Sequence, residues 1–117
     1  MELNIESLSS AGAFTGPPVK KEITWEQAGE TLTATVHIRK LSYHSVAGDI
    51  KAATSGQDVI AARIAQCLCD AKGKAIFTAE DVTGEADPQR GPLNGNLTMA
   101  LLAAIGEVSG LGKTPTA

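Results

Sequence analysis

The sequence predicts an α+β fold: a single small domain with two antiparallel β-hairpins and several helices, including an apolar C-terminal helix. Three observations support this prediction. The 117 residues suffice for one modest hydrophobic core but not for two. Residues 31–39 alternate between apolar and polar types, as an antiparallel strand with one wet face does. Residues 97–108 repeat their apolar members at helical spacing.

The composition excludes several classes of function. Hydrophobic residues make up 43% of the chain and aromatic residues only 3%, so Leu, Ile, Val and Ala must build the core. The net charge is -3 and the basic residues are scattered, which argues against nucleic acid as a partner. No apolar run approaches the ~18 residues of a membrane span, and the first residues lack signal-peptide features. The two cysteines are too few to stabilise a secreted domain through disulfides. We therefore expect a cytoplasmic protein, and the lack of an apolar run predicts no membrane contact.

The first 18 residues are expected to form a loosely ordered N-terminal segment. Asn4 is placed to cap a short helix in which Ile5 and Leu8 share a face. Glycines and prolines follow and break regular structure, so Phe14 lies in a loop. A large apolar residue in such a loop usually pins the segment to the core. The alternative is an exposed contact for a partner.

The first hairpin is predicted from two alternating segments. Residues 19–25 follow a period of two, with one face available for burial. The second segment alternates more regularly, and its apolar residues are Leu32, Ala34, Val36 and Ile38. Residues 26–30, which include Gly29, supply the turn between the two strands.

Two helices are predicted after this hairpin. Ser42 can cap the first helix, but Gly48 weakens it, so we expect only one or two turns before residue 53. Ser55 followed three residues later by Asp58 resembles a capping box, which predicts the start of the second helix. Its apolar residues then recur on one face.

The second hairpin and a short helix come next. Residues near Gln66 also fit a short buried strand, and we expect the preceding helix to give way to it there. Residues 70–73 form a turn, and residues 74–78 are predicted to return as the antiparallel partner. Thr78 can then cap a short helix over residues 79–82, whose early acidic residues suit the helix dipole.

The last part of the chain predicts a long loop and the apolar helix. Residues 84–96 contain glycines, prolines and asparagines and form the longest expected loop. Asn96 is placed to cap a helix over residues 97–108, and Gly110 can close its end. Residues 111–117 are expected to be a flexible tail, so the domain as a whole spans residues 1–117.

The candidate metal-binding residues form a weak pattern. Cys67 and Cys69, with His37 and His44, are four possible zinc ligands. Structural zinc sites prefer ligand pairs separated by two to four residues, and the Cys-x-Cys spacing does not fit. The ordinary alternative is a pair of small buried thiols. We therefore predict no metal and no cofactor.

Two other motifs are equally weak. Residues 110–114 superficially resemble a phosphate-binding loop, but glycine is absent at Glu107 and too few residues follow to form the required helix. The acidic pairs at 80–81 and 85–87 stand in or beside a loop, where solvated carboxylates are far commoner than a glycosidase-like pair. With no catalytic residue identified, the sequence does not predict an enzyme.

Several segments taken together resemble the tail assembly chaperones of long, non-contractile-tailed bacteriophages and prophages. Their order along the chain carries the resemblance, more than any single segment does. The segments are AGAFT (11–15), ITW (23–25), VHIRKLS (36–42), IAQCLCD (64–70), KGKAIFT (72–78), EDV (80–82) and EVSGL (107–111).

The resemblance implies a non-enzymatic role in the host bacterial cytoplasm. Proteins of this kind coat the long helical tape measure protein, help recruit tail tube subunits and are absent from the mature virion. We also expect a homo-oligomer, because many copies of a chaperone that lines one long helix gain avidity. We place the protein-binding site, as a hypothesis, on five apolar residues: Phe14, Leu97, Leu101, Leu102 and Ile105. The alternative is that each of them only fills the core.

The resemblance further implies that a ribosomal frameshift makes a longer form, which contacts the tail tube protein. Leu111, Gly112 and Lys113 are compatible with the codons CTG GGA AAG or CTG GGA AAA, which contain a slippery heptamer for a -1 slip. Two other functions remain open from the residues alone. One is a small structural tail or connector protein, and the other is a metal-dependent enzyme that uses the two cysteines and the histidines.

Overall fold

A computed structural model describes residues 1–110 of the chain. The helices and strands follow in the order α1 (Ile5–Ser10), β1 (Val19–Gln27), β2 (Glu30–Ile38), α2 (Tyr43–Ser55), α3 (Val59–Cys67), β3 (Leu68–Cys69), α4 (Ala79–Thr83) and α5 (Gly95–Val108). The three strands form one antiparallel sheet in the order β1-β2-β3. The predicted α+β class is therefore confirmed.

The β1–β2 hairpin is longer and its turn tighter than the alternation alone predicts. The strands pair without interruption from Val19 opposite Ile38 to Gln27 opposite Glu30. Only Ala28 and Gly29 remain for the turn, and their φ angles are 52° and 81°. Positive φ at both central residues is the type I′ geometry, which matches the twist of paired strands. The expected loop at residues 26–30 is thus reduced to two residues.

The second hairpin is confirmed at its turn but shortened in its return strand. The main-chain N–H groups of Lys72 and Lys74 donate to the Asp70 carboxylate at 2.8 and 2.9 Å, which closes the turn. The return consists of one bridge, Cys69 opposite Ala75, in place of the strand predicted at residues 74–78. The chain leaves the sheet there because Thr78 already caps α4.

The core lies between the sheet, α3 and α5. α5 packs mainly against β1, and the Lys21 Nζ to Glu107 Oε2 ion pair of 2.8 Å joins the two elements. The largest fully buried side chains are Ile38, Ile64, Leu68, Leu101, Ile105 and Cys67. All but the cysteine are Leu or Ile, as the low aromatic content requires.

The prediction of a short α2 is wrong, because this helix has 13 residues. Gly48 is tolerated at mid-helix, where glycine costs about 1 kcal/mol relative to alanine, because tertiary packing outweighs that propensity. α2 packs against α3, and an ion pair between Asp49 and Arg63 connects them. Ser55 belongs to the last turn of α2, and Asp58 caps α3 by accepting the Ala61 N–H at 2.9 Å.

The two ends of the loop before α5 contact each other through the main chain. Gly84 has a φ of 92°, and a Cβ added there would lie 2.6 Å from the Pro92 nitrogen. The Leu93 N–H donates to the Val82 carbonyl at 3.0 Å. α5 begins at Gly95, two residues earlier than predicted, because Asn94 rather than Asn96 is its N-cap.

Residues 1–18 contain α1, which Asn4 caps as predicted and which buries no residue. The expected tail at 111–117 lies outside the described residues.

Candidate protein-binding surface

α2 places its large apolar side chains toward solvent. Tyr43, Val46 and Ile50 are 80%, 57% and 61% exposed, although they follow one another at the spacing of a single helical face. On a surface helix of an isolated domain, such a face normally points inward. We call this surface, formed by Tyr43, Val46, Ala47, Ile50, Lys51 and Thr54, the α2 face.

The opposite side of α2 is built from small residues. Ser45 and Ala52 are buried, and Gly48 approaches the side chain of Gln66 on α3. Small residues let the two helix backbones approach closely, so α2 docks on α3 without using its large side chains. The Asp49 carboxylate and the Arg63 guanidinium close one flank of this contact. α2 is therefore oriented with its apolar stripe outward.

The α2 face is a shallow, open depression between side chains of α2 alone. The side chains that line it are mainly apolar, and Lys51 is the one charged residue among them. The Tyr43 ring contacts the His44 ring edge to face, with 5.6 Å between ring centroids, at the start of the helix. An exposed apolar stripe of this kind suits packing against the apolar side of another helix.

The structure separates the five residues of the predicted binding site. Leu101 and Ile105 are only 2% and 1% exposed and belong to the core, whereas Leu97 and Leu102 are half-buried against it. Phe14 is 56% exposed, so the expectation that it pins its loop to the core is wrong. A partner can reach Leu101 and Ile105 only if the domain opens.

The residues considered for zinc are dispersed. Cys67 and Cys69 are buried free thiols, and the Cys69 thiol donates to the main-chain carbonyl of His37 at 3.5 Å. Burial raises the pKa of the Cys67 thiol, against a smaller lowering by its hydrogen bond with Ser45. The thiol therefore stays neutral and is a poor ligand or nucleophile. Within residues 1–110, no group of three His, Cys, Asp or Glu side chains is placed to hold a metal.

The acidic residues before the long loop have structural roles. Asp81 accepts the Thr78 N–H at 2.9 Å and also binds Arg90 at 2.9 Å. The main-chain hydrogen bond from Thr78 lowers the pKa of the Asp81 carboxyl most, and Arg90 lowers it further. Asp81 thus completes the capping of α4. No helix of the described part of the chain is both long and apolar enough to cross a membrane.

The α2 face was missed at the sequence level for a specific reason. The signal was present in the three- and four-residue spacing of Tyr43, Val46 and Ile50, with Ser45 and Ala52 on the other side. Helix propensity at Gly48 argued for a short helix, and a helix of one or two turns has no extended face. Only the contact with α3 decides which side of α2 is buried.

A protein family model matches most of the chain. The model of the family described as "Phage tail assembly chaperone, TAC" matches residues 6–109 of the 117. No curated protein and no solved structure matches the chain. The matched range runs from α1 through the end of α5 and so includes the α2 face and the core. The chain therefore belongs to the phage tail assembly chaperone family.

Proposed function

We propose that this protein is a tail assembly chaperone that binds the tape measure protein through the α2 face. The observation that carries the proposal is the outward position of Tyr43, Val46 and Ile50 in a domain that already has a closed core. Exposing apolar surface to water costs roughly 25 cal/mol for each Å². A partner that buries these side chains is therefore stabilised on the α2 face by that free energy. Family membership supports an assembly partner rather than a substrate.

An unassembled tape measure protein is a fitting occupant of this surface. A long helical protein that awaits its tube exposes apolar helix faces, and it needs reversible cover to stay soluble. α2 has 13 residues and spans about 20 Å at 1.5 Å per residue, enough to contact three to four turns of a partner helix. Phe14 provides a second exposed apolar contact, and half-buried Leu97 and Leu102 are further candidates.

The proposal extends to the other steps of tail assembly. Many copies along one tape measure protein form a stable array even when each contact is weak, and weak single contacts favour release when the tube forms. A longer, frameshifted form would contact the tail tube protein. Its expected slip site at residues 111–113 lies outside the described residues. The protein would act in the host bacterial cytoplasm, without catalysis, and would be absent from mature virions.

Co-expression with the tape measure protein tests this function. The variant Val46→Asp/Ile50→Asp places two charges on the α2 face while leaving the core untouched. We expect co-purification with the tape measure protein to fall at least tenfold, since buried unpaired charges cost several kcal/mol. Leu3→Asp, at an apolar residue that is more exposed than either and lies outside the α2 face, is the control and should retain binding.

Two results would contradict the proposal. One is a wild-type protein that neither co-purifies with the tape measure protein nor keeps it soluble. The other is its presence in purified, mature tails, which would identify a structural tail protein instead of a chaperone.

A further inference from the structure

A cleft with a basic lining lies where three segments of the chain meet. Its walls come from the residues just before β1, from the start of α2 and from the turn that follows β3. Its volume is about 470 Å³, within the range of about 300–1,000 Å³ that is usual for ligand-binding pockets. We call it the basic cleft and define it by six of its lining residues, Gly16, Arg39, Lys40, His44, Ser45 and Gly73.

The ionisable side chains that line the basic cleft are all basic. Arg39 and Lys40 directly follow β2, and His44 lies in the first turn of α2. None of the described residues that line the cleft is acidic. Lys40 has no ion-pair partner in the part of the chain that the structure describes. The whole chain carries a net charge of -3, so the cleft is a local cationic site on an acidic protein.

The Arg39 guanidinium is already fixed in position. Its Nη1 group donates to the main-chain carbonyl of Gln66 at 3.4 Å, and its Nη2 group donates to that of Gly73. A guanidinium has five N–H donors, and these two bonds use only part of them. A side chain held in this way loses little conformational freedom when it binds an anion. Arg39 is therefore suited to share its remaining donors with a carboxylate.

The start of α2 contributes to the same positive potential. α2 has 13 residues, and its N-terminus carries the positive end of the helix dipole to the wall of the cleft. Ser45 is only 5% exposed, and its hydroxyl accepts the Ser42 N–H at 3.1 Å, which holds the first turn in place. Side-chain cations and a helix N-terminus thus favour a negatively charged group at one position.

The basic cleft and the α2 face are neighbours. They meet at the first turn of α2, where Tyr43 belongs to the α2 face and His44 to the cleft. The two rings contact each other edge to face, with 5.6 Å between their centroids. A helix that lies along the α2 face would therefore have one end beside the cleft.

We propose that the basic cleft binds the carboxylates of an acidic peptide segment, and that this segment flanks the apolar helix that covers the α2 face. Charge complementarity supports this occupant, because a cationic cleft next to an apolar stripe matches acidic residues next to an apolar stripe. The cleft then fixes the direction in which the partner helix lies on α2. The inference rests on the proposed function for the identity of the partner, but not for the chemistry of the cleft.

A peptide fits this site better than a nucleic acid does. Nucleic-acid binding depends on cations that neutralise a long run of phosphates, and its footprint is a basic stripe or patch. The cleft has three basic side chains in one place, Arg39, Lys40 and His44. A short acidic segment needs no more than such a compact group of charges.

An NMR titration of the full chain tests the chemistry of the cleft. The probe is a peptide of six glutamates, and a peptide of six glutamines is the neutral control. We expect saturable shifts at the amides of Gly16, Lys40, His44 and Gly73 with the acidic peptide alone, and weaker binding as salt is added. Equal shifts with both peptides, or shifts spread over lysines elsewhere, would overturn the proposal. Tighter binding of a hexathymidylate at the same amides would also overturn it, in favour of a nucleic-acid site.

A matched pair of charge reversals tests the position of the site. Lys40→Glu should raise the dissociation constant of the six-glutamate peptide about tenfold, because it places a like charge in the cleft. Lys51→Glu makes the same change of charge at an exposed residue of α2 outside the cleft and should have little effect. His44→Glu, at an exposed residue, is a second variant that leaves the core untouched and should also weaken binding. Equal affinity of the Lys40 and Lys51 variants would overturn the assignment.

Co-purification with the tape measure protein separates this inference from the proposed function. Lys40→Glu should reduce co-purification, whereas Val46→Asp/Ile50→Asp should abolish it and leave binding of the six-glutamate peptide unchanged. Full co-purification of Lys40→Glu would overturn the assignment of the acidic segment to the partner on the α2 face. A wild-type protein that binds the peptide but not the tape measure protein would contradict the proposed function and support the carboxylate site.

Discussion

α5 is richer in apolar residues than α2, yet α2 is the helix that exposes a stripe of large apolar side chains to solvent. α5 is the more apolar helix, with Glu107 as its one charged residue, and it buries Leu101, Ala104 and Ile105. α2 is more polar, yet it exposes Tyr43, Val46 and Ile50 and buries only small residues. Composition therefore indicates how much apolar surface a helix has. The neighbouring elements decide which part of that surface a partner can reach.

The difference has a geometric cause. α5 packs on the face of β1, where large side chains are needed to fill the space between helix and sheet. α2 contacts α3 through Ser45, Gly48 and Ala52, and a close helix–helix contact has no room for large side chains. The more apolar helix α5 thus contributes to the core, while the more polar helix α2 exposes the proposed binding surface.

The largest expected effect comes from truncating matched isoleucines on the two helices. Ile105→Ala should lower the free energy of unfolding by about 2–5 kcal/mol, because it removes a fully buried side chain and leaves a cavity. Ile50→Ala should change the free energy of unfolding by no more than about 0.5 kcal/mol, since Ile50 is exposed. Urea denaturation measures both values. Similar losses in the two variants would mean that the α2 face is covered in the free protein.

A smaller effect is expected from enlarging the buried side of α2. Ala52→Leu should lower the free energy of unfolding by about 1–3 kcal/mol, because Ala52 is buried at the contact with α3 and the new side chain has no space. Ala53→Leu, at the adjacent exposed position, is the control and should be nearly neutral. Thermal and urea denaturation test this. If Ala52→Leu is tolerated as well as the control, close packing does not orient α2.

The smallest effect concerns α4, where the charged Asp81 completes a capping box with Thr78, whereas α5 is capped by the neutral Asn94. The pKa of Asp81 is lowered in the folded protein, mainly by the Thr78 main-chain hydrogen bond. The stabilisation is therefore present above the unfolded-state pKa of about 3.9 and is lost as the pH falls through the lower folded-state pKa. In denaturation measured across this range, Asp81→Asn should lose less stability on acidification than the wild type. An unchanged pH dependence would contradict this assignment.

Local patterns predicted those elements whose burial follows from their own sequence. Alternation at residues 31–39 identified β2, and the caps at Asn4 and Thr78 were placed correctly. The length of α2 was underestimated because glycine propensity at Gly48 is a local quantity, whereas the contact with α3 is tertiary. Asn94 and Asn96 are both suitable N-cap residues in the sequence, and the structure distinguishes them: Asn94 Oδ1 accepts the Leu97 N–H at 3.0 Å, whereas Asn96 donates to the Glu26 carbonyl.

The candidate surface was predictable only in part. Phe14 was recognised as a possible exposed contact, and the structure exposes it. Leu101 and Ile105 were chosen for the apolar character of their helix, but the same character makes them core residues. No local rule distinguishes a large side chain that completes a core from one that awaits a partner, because the difference lies in the neighbouring elements.

The close approach at Gly84 constrains how this sequence can vary. A hydrogen atom fits against the main chain at Pro92, but a methyl group would overlap it, and the φ of 92° already disfavours any side chain. A substitution of Gly84 therefore requires a change in the neighbouring main chain. A homologue with a different residue there should show a deletion, an insertion or a new course in the segment that follows α4.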